Sequence, residues 1–168
     1  MNTEAEIFDI IWGWVDLVLN TIKEKDILII FSDQNAPSGV EEYIVIQKPF
    51  DSQDPVGSGN VTKTDSTGKV TITQNWEATL NISEERSANE YLPLLSNTLN
   101  FYQVKEYFRD KDLSILNILS NNNITRQEGS QRIKGASMDV RVAYTITETD
   151  TPGYINTVDF DGTYTNKD

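Results

Sequence analysis

The chain has 168 residues, and this length predicts a single domain spanning residues 1–168. It contains no Cys and no His, which excludes a disulfide scaffold, a thiol nucleophile, a zinc site of the usual nitrogen and sulfur ligands, and an imidazole general base. The 26 Asp and Glu residues outnumber the 14 Lys and Arg residues, and the net charge of −12 makes direct binding of a phosphate backbone unfavourable.

The N-terminal segment predicts an amphipathic helix. Thr3 and Glu6 form a capping box, in which the hydroxyl and the carboxylate satisfy free backbone amides. Apolar residues then recur at helical spacing, at Ile7, Ile11, Trp14, Val18 and Ile22. Trp12 lies off this stripe and fits either a wide core face or a contact between subunits. The segment matches neither a secretory signal nor a membrane span, so we expect a soluble protein made inside the cell.

Two short strands and a long polar segment follow. The continuous apolar run over residues 27–31 predicts a strand buried on both faces, and residues 33–39 are rich in turn formers. Residues 43–48 alternate as a second strand, which stops at Pro49. Residues 50–68 are dominated by Asp, Ser, Gly, Thr and Asn, and they predict a polar loop of a length that is usually functional or disordered.

Two long alternating segments predict the central strands of a sheet. Apolar side chains occupy nearly every second position from Val70 to Ile82 and again from Ala136 to Ile146. One buried face and one solvated face are typical of antiparallel strands. The first of these segments is longer than a usual strand, which predicts bending or projection past its neighbours.

A second helix is predicted between these two strands. Ser87 and Glu90 form another capping box, and a stripe of leucines follows it. The run over 113–119 fits either a strand or a short helix, and the asparagines at 121–123 predict a turn. Together with a short last segment over 154–164, this order predicts an α+β fold, a mainly antiparallel sheet flanked by two helices on one side.

Acidic residues offer the remaining candidates for chemistry. Asp51 with Asp54 and Asp159 with Asp161 are the notable carboxylate pairs, and the second pair lacks the further ligands of a calcium loop. Such pairs arise by chance among 26 acidic residues, so we predict no catalytic residue, no cofactor and no metal site. A carboxylate-based metal enzyme stays as an alternative, and it requires at least three acidic side chains that converge in a pocket.

Charge is distributed unevenly along the chain. Residues 86–135 contain seven basic and five acidic side chains, a net charge of +2, whereas the other residues contain seven basic and twenty-one acidic ones, a net charge of −14. Surface charge varies by accident in many proteins. The alternative is a head-to-tail contact between copies, in which a less acidic flank meets an acidic one, and such contacts close into rings.

Several stretches, in the right order, resemble the phage neck terminator or tail terminator proteins. The stretches that carry the resemblance are Ile11-Trp12-Gly13-Trp14-Val15, Ser32-Asp33-Gln34-Asn35-Ala36-Pro37, Tyr43-Ile44-Val45-Ile46, Trp76-Glu77-Ala78, Ala88-Asn89, Met138-Asp139-Val140-Arg141 and Gly153-Tyr154-Ile155-Asn156-Thr157-Val158. The resemblance implies a small α/β sandwich related to tail-tube-like proteins. It also implies a hexameric ring that caps the head-proximal end of the tail tube and joins the tail to the neck.

This resemblance implies a structural role in the virion and no enzymatic activity. The partners it implies are further copies of the chain, the tail tube protein and a neck or connector protein, with assembly in the host cytoplasm. DNA passes through the channel of such a ring without specific binding, and no membrane is involved. An acidic DNA-mimic inhibitor of a DNA-handling enzyme, or another head–tail connector or completion protein, is the alternative function.

The turn from Asp33 to Pro37 is the most specific part of the resemblance. It is expected either to define the fold or to contact a neighbouring subunit. Together with the off-stripe tryptophan, it gives the candidate residues for a subunit or ring interface, which are Trp12, Asp33, Gln34, Asn35 and Pro37.

Overall fold

The computed structural model describes residues 4–35, 41–47, 54–62, 69–128 and 130–150. The helices are α1 (Glu4–Asp16), which continues as a π-helical segment (Leu17–Ile22), α2 (Leu92–Thr98) and α3 (Tyr102–Arg109). The strands are β1 (Leu28–Phe31), β2 (Tyr43–Gln47), β3 (Asp54–Thr62), β4 (Val70–Glu85), β5 (Leu113–Glu128) and β6 (Gln131–Asp150). The fold is α+β, as the order of sequence patterns predicts.

The six strands form one open sheet in the order β1-β2-β4-β6-β5, and β3 also pairs with β4. The β1–β2 pairing is parallel and all other pairings are antiparallel. One row of paired residues crosses the whole sheet, from Leu28 through Tyr43, Glu85 and Gly135 to Ile124. Because β4 is much longer than β2, it projects past that strand, as its length predicts.

One face of the sheet and the apolar stripe of α1 form the core. In β4 and β6 the buried positions alternate, at Ala78, Leu80 and Ile82 and at Ala136, Met138, Val140, Val142 and Tyr144. These residues share one buried cluster with the helices, so the predicted face is buried from Ala78 onward in β4 and from Ala136 to Tyr144 in β6. In the first half of β4, Val70, Ile72 and Gln74 are half-buried, so the prediction of a buried face does not hold there. Trp14 is fully buried, and its ring centroid lies 5.5 Å from that of Phe108 in α3.

The prediction of a loop over residues 50–68 is wrong at its centre. Residues 54–62 form β3 and pair with the first half of β4, from Thr71 to Glu77. The projecting half of β4 offers a free backbone edge, and pairing to it needs backbone groups more than apolar side chains. Residues 50–53 and 63–68 lie outside the described residues, and the single domain remains an expectation.

Two further predictions about strands are wrong in part. Asn121, Asn122 and Asn123 lie inside β5, where they pair with β6, so the predicted turn there is absent. The ladder to β6 overrides the turn preference of asparagine, and the preceding ambiguous run is a strand. In β1 the prediction of burial on both faces is confirmed at the consecutive residues Ile29 and Ile30, whereas Leu28, the first residue of this edge strand, is 48% exposed. The predicted segment over 154–164 and the hydroxyl of Thr3 lie outside the described residues.

The capping box predicted at Ser87 and Glu90 does not form, because a buried carboxylate from β4 takes its place. Glu84 is fully buried, and its two oxygens accept hydrogen bonds from the backbone N–H groups of Glu90, Tyr91 and Leu92 at 2.9, 2.9 and 3.0 Å. The free amides at the start of α2 are thereby satisfied by a residue of the sheet. This carboxylate fixes the position of α2 on β4.

Close packing of α1 against α3 leads to a prediction about Gly13. The Tyr107 hydroxyl donates a hydrogen bond to the Ile10 carbonyl oxygen at 2.9 Å, and a Cβ atom at Gly13 would collide with that hydroxyl. Gly13→Ala is expected to lower the free energy of unfolding by about 1–3 kcal/mol, although alanine favours helices. Chemical denaturation measures the change. In a Tyr107→Phe variant, which lacks the hydroxyl, Gly13→Ala should lower the free energy of unfolding much less. An equal decrease with and without the hydroxyl would contradict the proposed collision.

Stability is expected to decrease at alkaline pH because of two tyrosines. Burial, followed by the nearby charges of Asp16 and Asp9, raises the pKa of Tyr107. Burial, and then a hydrogen bond to Glu42, raises the pKa of Tyr91. Each folded-state pKa lies above the unfolded value of 10.0, so the stabilisation is complete below that pH and is lost as the pH rises further.

Urea denaturation across this alkaline range tests the expectation. Tyr91→Phe and Tyr107→Phe should each make the unfolding free energy decrease less steeply as the pH rises. Tyr102→Phe is the matched control, because that side chain is 76% exposed, and it should leave the decrease unchanged. A pH profile that is identical in all three variants would contradict the assignment.

Candidate assembly surfaces

Side chains close the outer edge of β1. The Asn20 amide donates to the Ile27 carbonyl oxygen at 3.0 Å and accepts from the Ile27 N–H at 2.7 Å. The indole N–H of Trp12 donates to the Ile29 carbonyl oxygen at 3.2 Å. These contacts occupy backbone groups that an edge strand otherwise offers to another strand.

The residues predicted for a subunit interface, as far as they are described, lie along this edge. Trp12 remains 37% exposed, so it combines a structural hydrogen bond with an accessible ring. Gln34 accepts from the Phe31 N–H through Oε1 and donates its backbone N–H to the Phe31 carbonyl oxygen, both at 3.0 Å. Asp33 and Asn35 are exposed in the same turn. Pro37 lies outside the described residues.

An acidic surface with exposed apolar side chains surrounds the β1 edge. Residues 4–35 contain seven acidic residues and two lysines, a net charge of −5. We use the name β1 surface for the exposed residues Asp9, Trp12, Glu24, Lys25, Asp26 and Leu28. Trp12 and Leu28 are its apolar side chains, and its three carboxylates outnumber the single lysine.

At the other edge of the sheet, β5 exposes two leucines that sequence patterns do not identify. The register between β5 and β6 shifts twice, so Leu116 and Leu119 are the extra residues of two bulges. Their side chains are 49% and 52% exposed. The apolar run over 113–119 signals a strand, but alternation alone cannot show that two of its leucines point away from the core.

The hairpin of β5 and β6 extends past the end of β4. Glu85, the last residue of β4, pairs with Gly135, and residues 125–128 pair with residues 131–134 beyond that point. Arg132 and Lys134 are exposed in this extension. We use the name β5 surface for the exposed residues Leu116, Leu119, Arg132 and Lys134. Residues 113–135 carry a net charge of +2.

A groove of about 490 Å³ lies between α3 and the start of β5. Its lining includes the apolar residues Phe108 and Leu113 and the cations Lys105 and Arg109. Arg109 forms an ion pair with Glu106 of its own helix. The groove therefore adds apolar side chains and the Lys105 cation to the side of the molecule that carries β5, whereas Glu106 and Asp110 balance the charge of Arg109.

The sheet face opposite the helices carries polar side chains that pair with one another. Asn81 donates to Asp139 at 2.7 Å, Ser120 donates to the same carboxylate at 3.1 Å, and Arg141 forms an ion pair with Glu77. These pairs cross neighbouring strands and hold the ladder together. Cross-strand pairing is therefore a sufficient structural reason for the polar residues on this face of the long strands.

Within the ranges that the structure describes, no three acidic side chains converge as a metal site would require. The predicted carboxylate pairs cannot be placed, because their side chains lie outside the described ones. None of the helices in these ranges has the length and apolar character needed to cross a bilayer.

Comparison with known proteins gives one match that covers nearly the whole chain. A family model described as phage neck terminator protein matches residues 5–168. A search of curated proteins found no significant match. The family match includes both sheet edges and every described element from the first turn of α1 to the end of β6.

Proposed function

This chain belongs to the phage neck terminator family, and from that premise we propose that it forms a hexameric ring at the neck–tail junction of the virion. Membership indicates a structural component of the phage particle with a role in joining head and tail. In the proposed role, the ring caps the head-proximal end of the tail tube and connects it to the neck or connector protein. Assembly takes place in the host cytoplasm.

The extent of the family match is the observation that carries this proposal. Residues 5–168 include the whole α+β unit, so the family role applies to the complete fold and not to an isolated motif. The two different edges of the sheet support a head-to-tail assembly, because contacts between unlike surfaces generate closed rings when the rotation closes.

We also propose that acidic residues line the channel of the ring, so that DNA passes without adhering. The net charge of −14 outside residues 86–135 supports this proposal. A ring structure in which Lys and Arg form most of the channel wall would contradict it.

Deletion of the gene from its phage tests the joining role. Electron microscopy of the lysate is expected to show filled heads and separate tails, and few joined particles. Expression of the chain from a plasmid should restore joined, infectious particles, while a plasmid with an early stop codon should not. Joined and infectious particles in the deletion lysate would contradict the proposed function.

A further inference from the structure

β6 is longer than the strand beside it, so part of one of its edges has no strand neighbour. β5 begins at Leu113, which pairs with Tyr144, and none of the described strands pairs with residues 145–149 on that side. On the other side the same residues pair with β4. A backbone edge of this kind is a template for pairing with a further strand. These residues therefore offer a docking edge for one short strand.

We infer that residues 155–159 of the same chain dock on this edge as an antiparallel strand. Residues 151–168 follow β6 in the sequence and lie outside the described residues. The family match continues through residue 168, past the end of β6, so this segment belongs to the same family unit as the sheet. The inference concerns contacts within one copy and does not depend on the proposed ring.

The sequence directly after β6 favours a tight reversal of the chain. Pro152 and Gly153 suit the two central positions of a type II turn, because proline fixes a negative φ and glycine accepts a positive one. A connection over residues 151–153 brings residue 154 level with residue 150. Antiparallel pairing then continues from residue 149 with 155 to residue 145 with 159. No proline within residues 155–159 interrupts this pairing.

The register set by this turn places similar side chains opposite one another. Ile146 lies on the core face of β6 and is only half-buried, and Val158 stands opposite it in this register. On the solvated face Thr157 stands opposite Thr147, a type of cross-strand pair that stabilises sheets. A shift by one residue would place Asp159 opposite Ile146, on the core face. The side-chain pattern therefore favours the same register as the turn.

The space on the β6 edge matches the length of the docked strand. Residue 160 reaches the level of Tyr144, where Leu113 already pairs with β6. Asp161 and Gly162 follow at once and are typical turn formers. An open cavity of about 320 Å³ lies at this point, between the start of β5 and the neighbouring parts of β6 and β4. It gives the chain room to leave the sheet.

Disulfide formation in the full chain tests the position and the register of the docked strand. The chain contains no Cys, so Thr147→Cys with Thr157→Cys introduces a single pair of thiols. Mild oxidation should bridge this pair within one copy, because directly opposite residues meet the Cα spacing of a disulfide. Peptide mass spectrometry without reduction measures the rate of bridging.

Thr147→Cys with Asn156→Cys is the matched control for this experiment. Its two side chains point to opposite faces of the proposed sheet, so it should bridge at least about tenfold more slowly. A segment that does not pair with β6 would bridge both pairs at similar rates. Similar rates would therefore overturn the inference, and so would bridges that join two different copies.

Hydrogen exchange followed by NMR gives an independent readout in the wild-type chain. Amides of residues 145–149 that face the docking edge should be protected from exchange. Val158→Asp should speed their exchange at least about tenfold, because docking would place a carboxylate on the core face. Thr163→Asp, beyond the docked strand, is the control and should change nothing. Wild-type amides that exchange as fast as those of Val158→Asp would overturn the inference, while the gene deletion tests the joining role separately.

Discussion

Replacing Glu84 with alanine is expected to lower the free energy of unfolding by about 3–5 kcal/mol. The side chain is fully buried and accepts from three backbone amides, those of Glu90, Tyr91 and Leu92. Its removal leaves these N–H groups without an acceptor in a place that water does not reach. Hydrogen bonds to a charged acceptor are among the stronger ones, which explains the size of the effect. Urea denaturation followed by far-UV circular dichroism measures it.

Two matched variants separate this effect from the loss of a charge. Glu84→Gln keeps the shape and one acceptor oxygen, and it should lose about half as much stability as the alanine variant. Glu148→Gln removes a carboxylate from an exposed position of β6 and should stay within about 0.5 kcal/mol of the wild type. A Glu84→Ala protein that is as stable as Glu148→Gln would contradict the role of Glu84 as the cap of α2.

Replacing Trp14 with alanine is expected to cost about 3–5 kcal/mol of unfolding free energy. Trp14 is fully buried in the cluster that joins α1 to the sheet, and its ring packs against Phe108. The substitution leaves a cavity that the surrounding helices and strands cannot fill completely. Within the described part of the chain the indole N–H has no hydrogen-bond partner, so Trp14→Phe should cost clearly less than Trp14→Ala.

Trp12 supplies the control for this prediction. It is the same residue type on the same helix, but it is 37% exposed and makes one hydrogen bond to the β1 edge. Trp12→Ala is expected to cost about 1 kcal/mol in the same denaturation experiment. Equal losses for Trp12→Ala and Trp14→Ala would show that burial does not decide the contribution of these residues.

The spacing of apolar residues predicts the core of this protein because a helix or strand that buries one face needs apolar residues at regular positions on that face. A stripe at helical spacing predicts that Ile11 and Trp14 point inward from α1, and alternation predicts the buried faces of β4 and β6. Trp12 lies off the stripe, and the structure explains this by placing it at the edge of the sheet. These patterns are local, and local patterns predict local structure well.

Features that depend on distant segments are not predictable in this way. Glu84 continues the inward-facing positions of β4. Its role depends on the backbone N–H groups of residues 90–92, which the alternation of β4 does not predict as its partners. β3 is polar and pairs because β4 projects past β2. The exposure of Leu116 and Leu119 follows from two register shifts that no spacing rule predicts. The candidate turn from Asp33 to Pro37 rests on the resemblance, and its part in a ring is a proposal.

Labelling of intact phage particles tests the central claim most directly. Gold-labelled antibody raised against the chain is applied to purified particles and viewed by electron microscopy, with particles from a phage that lacks the gene as the control. The proposed function predicts label at the junction of head and tail on joined particles. Label that is absent from the particles, or that is confined to the capsid shell or the distal tail, would contradict it.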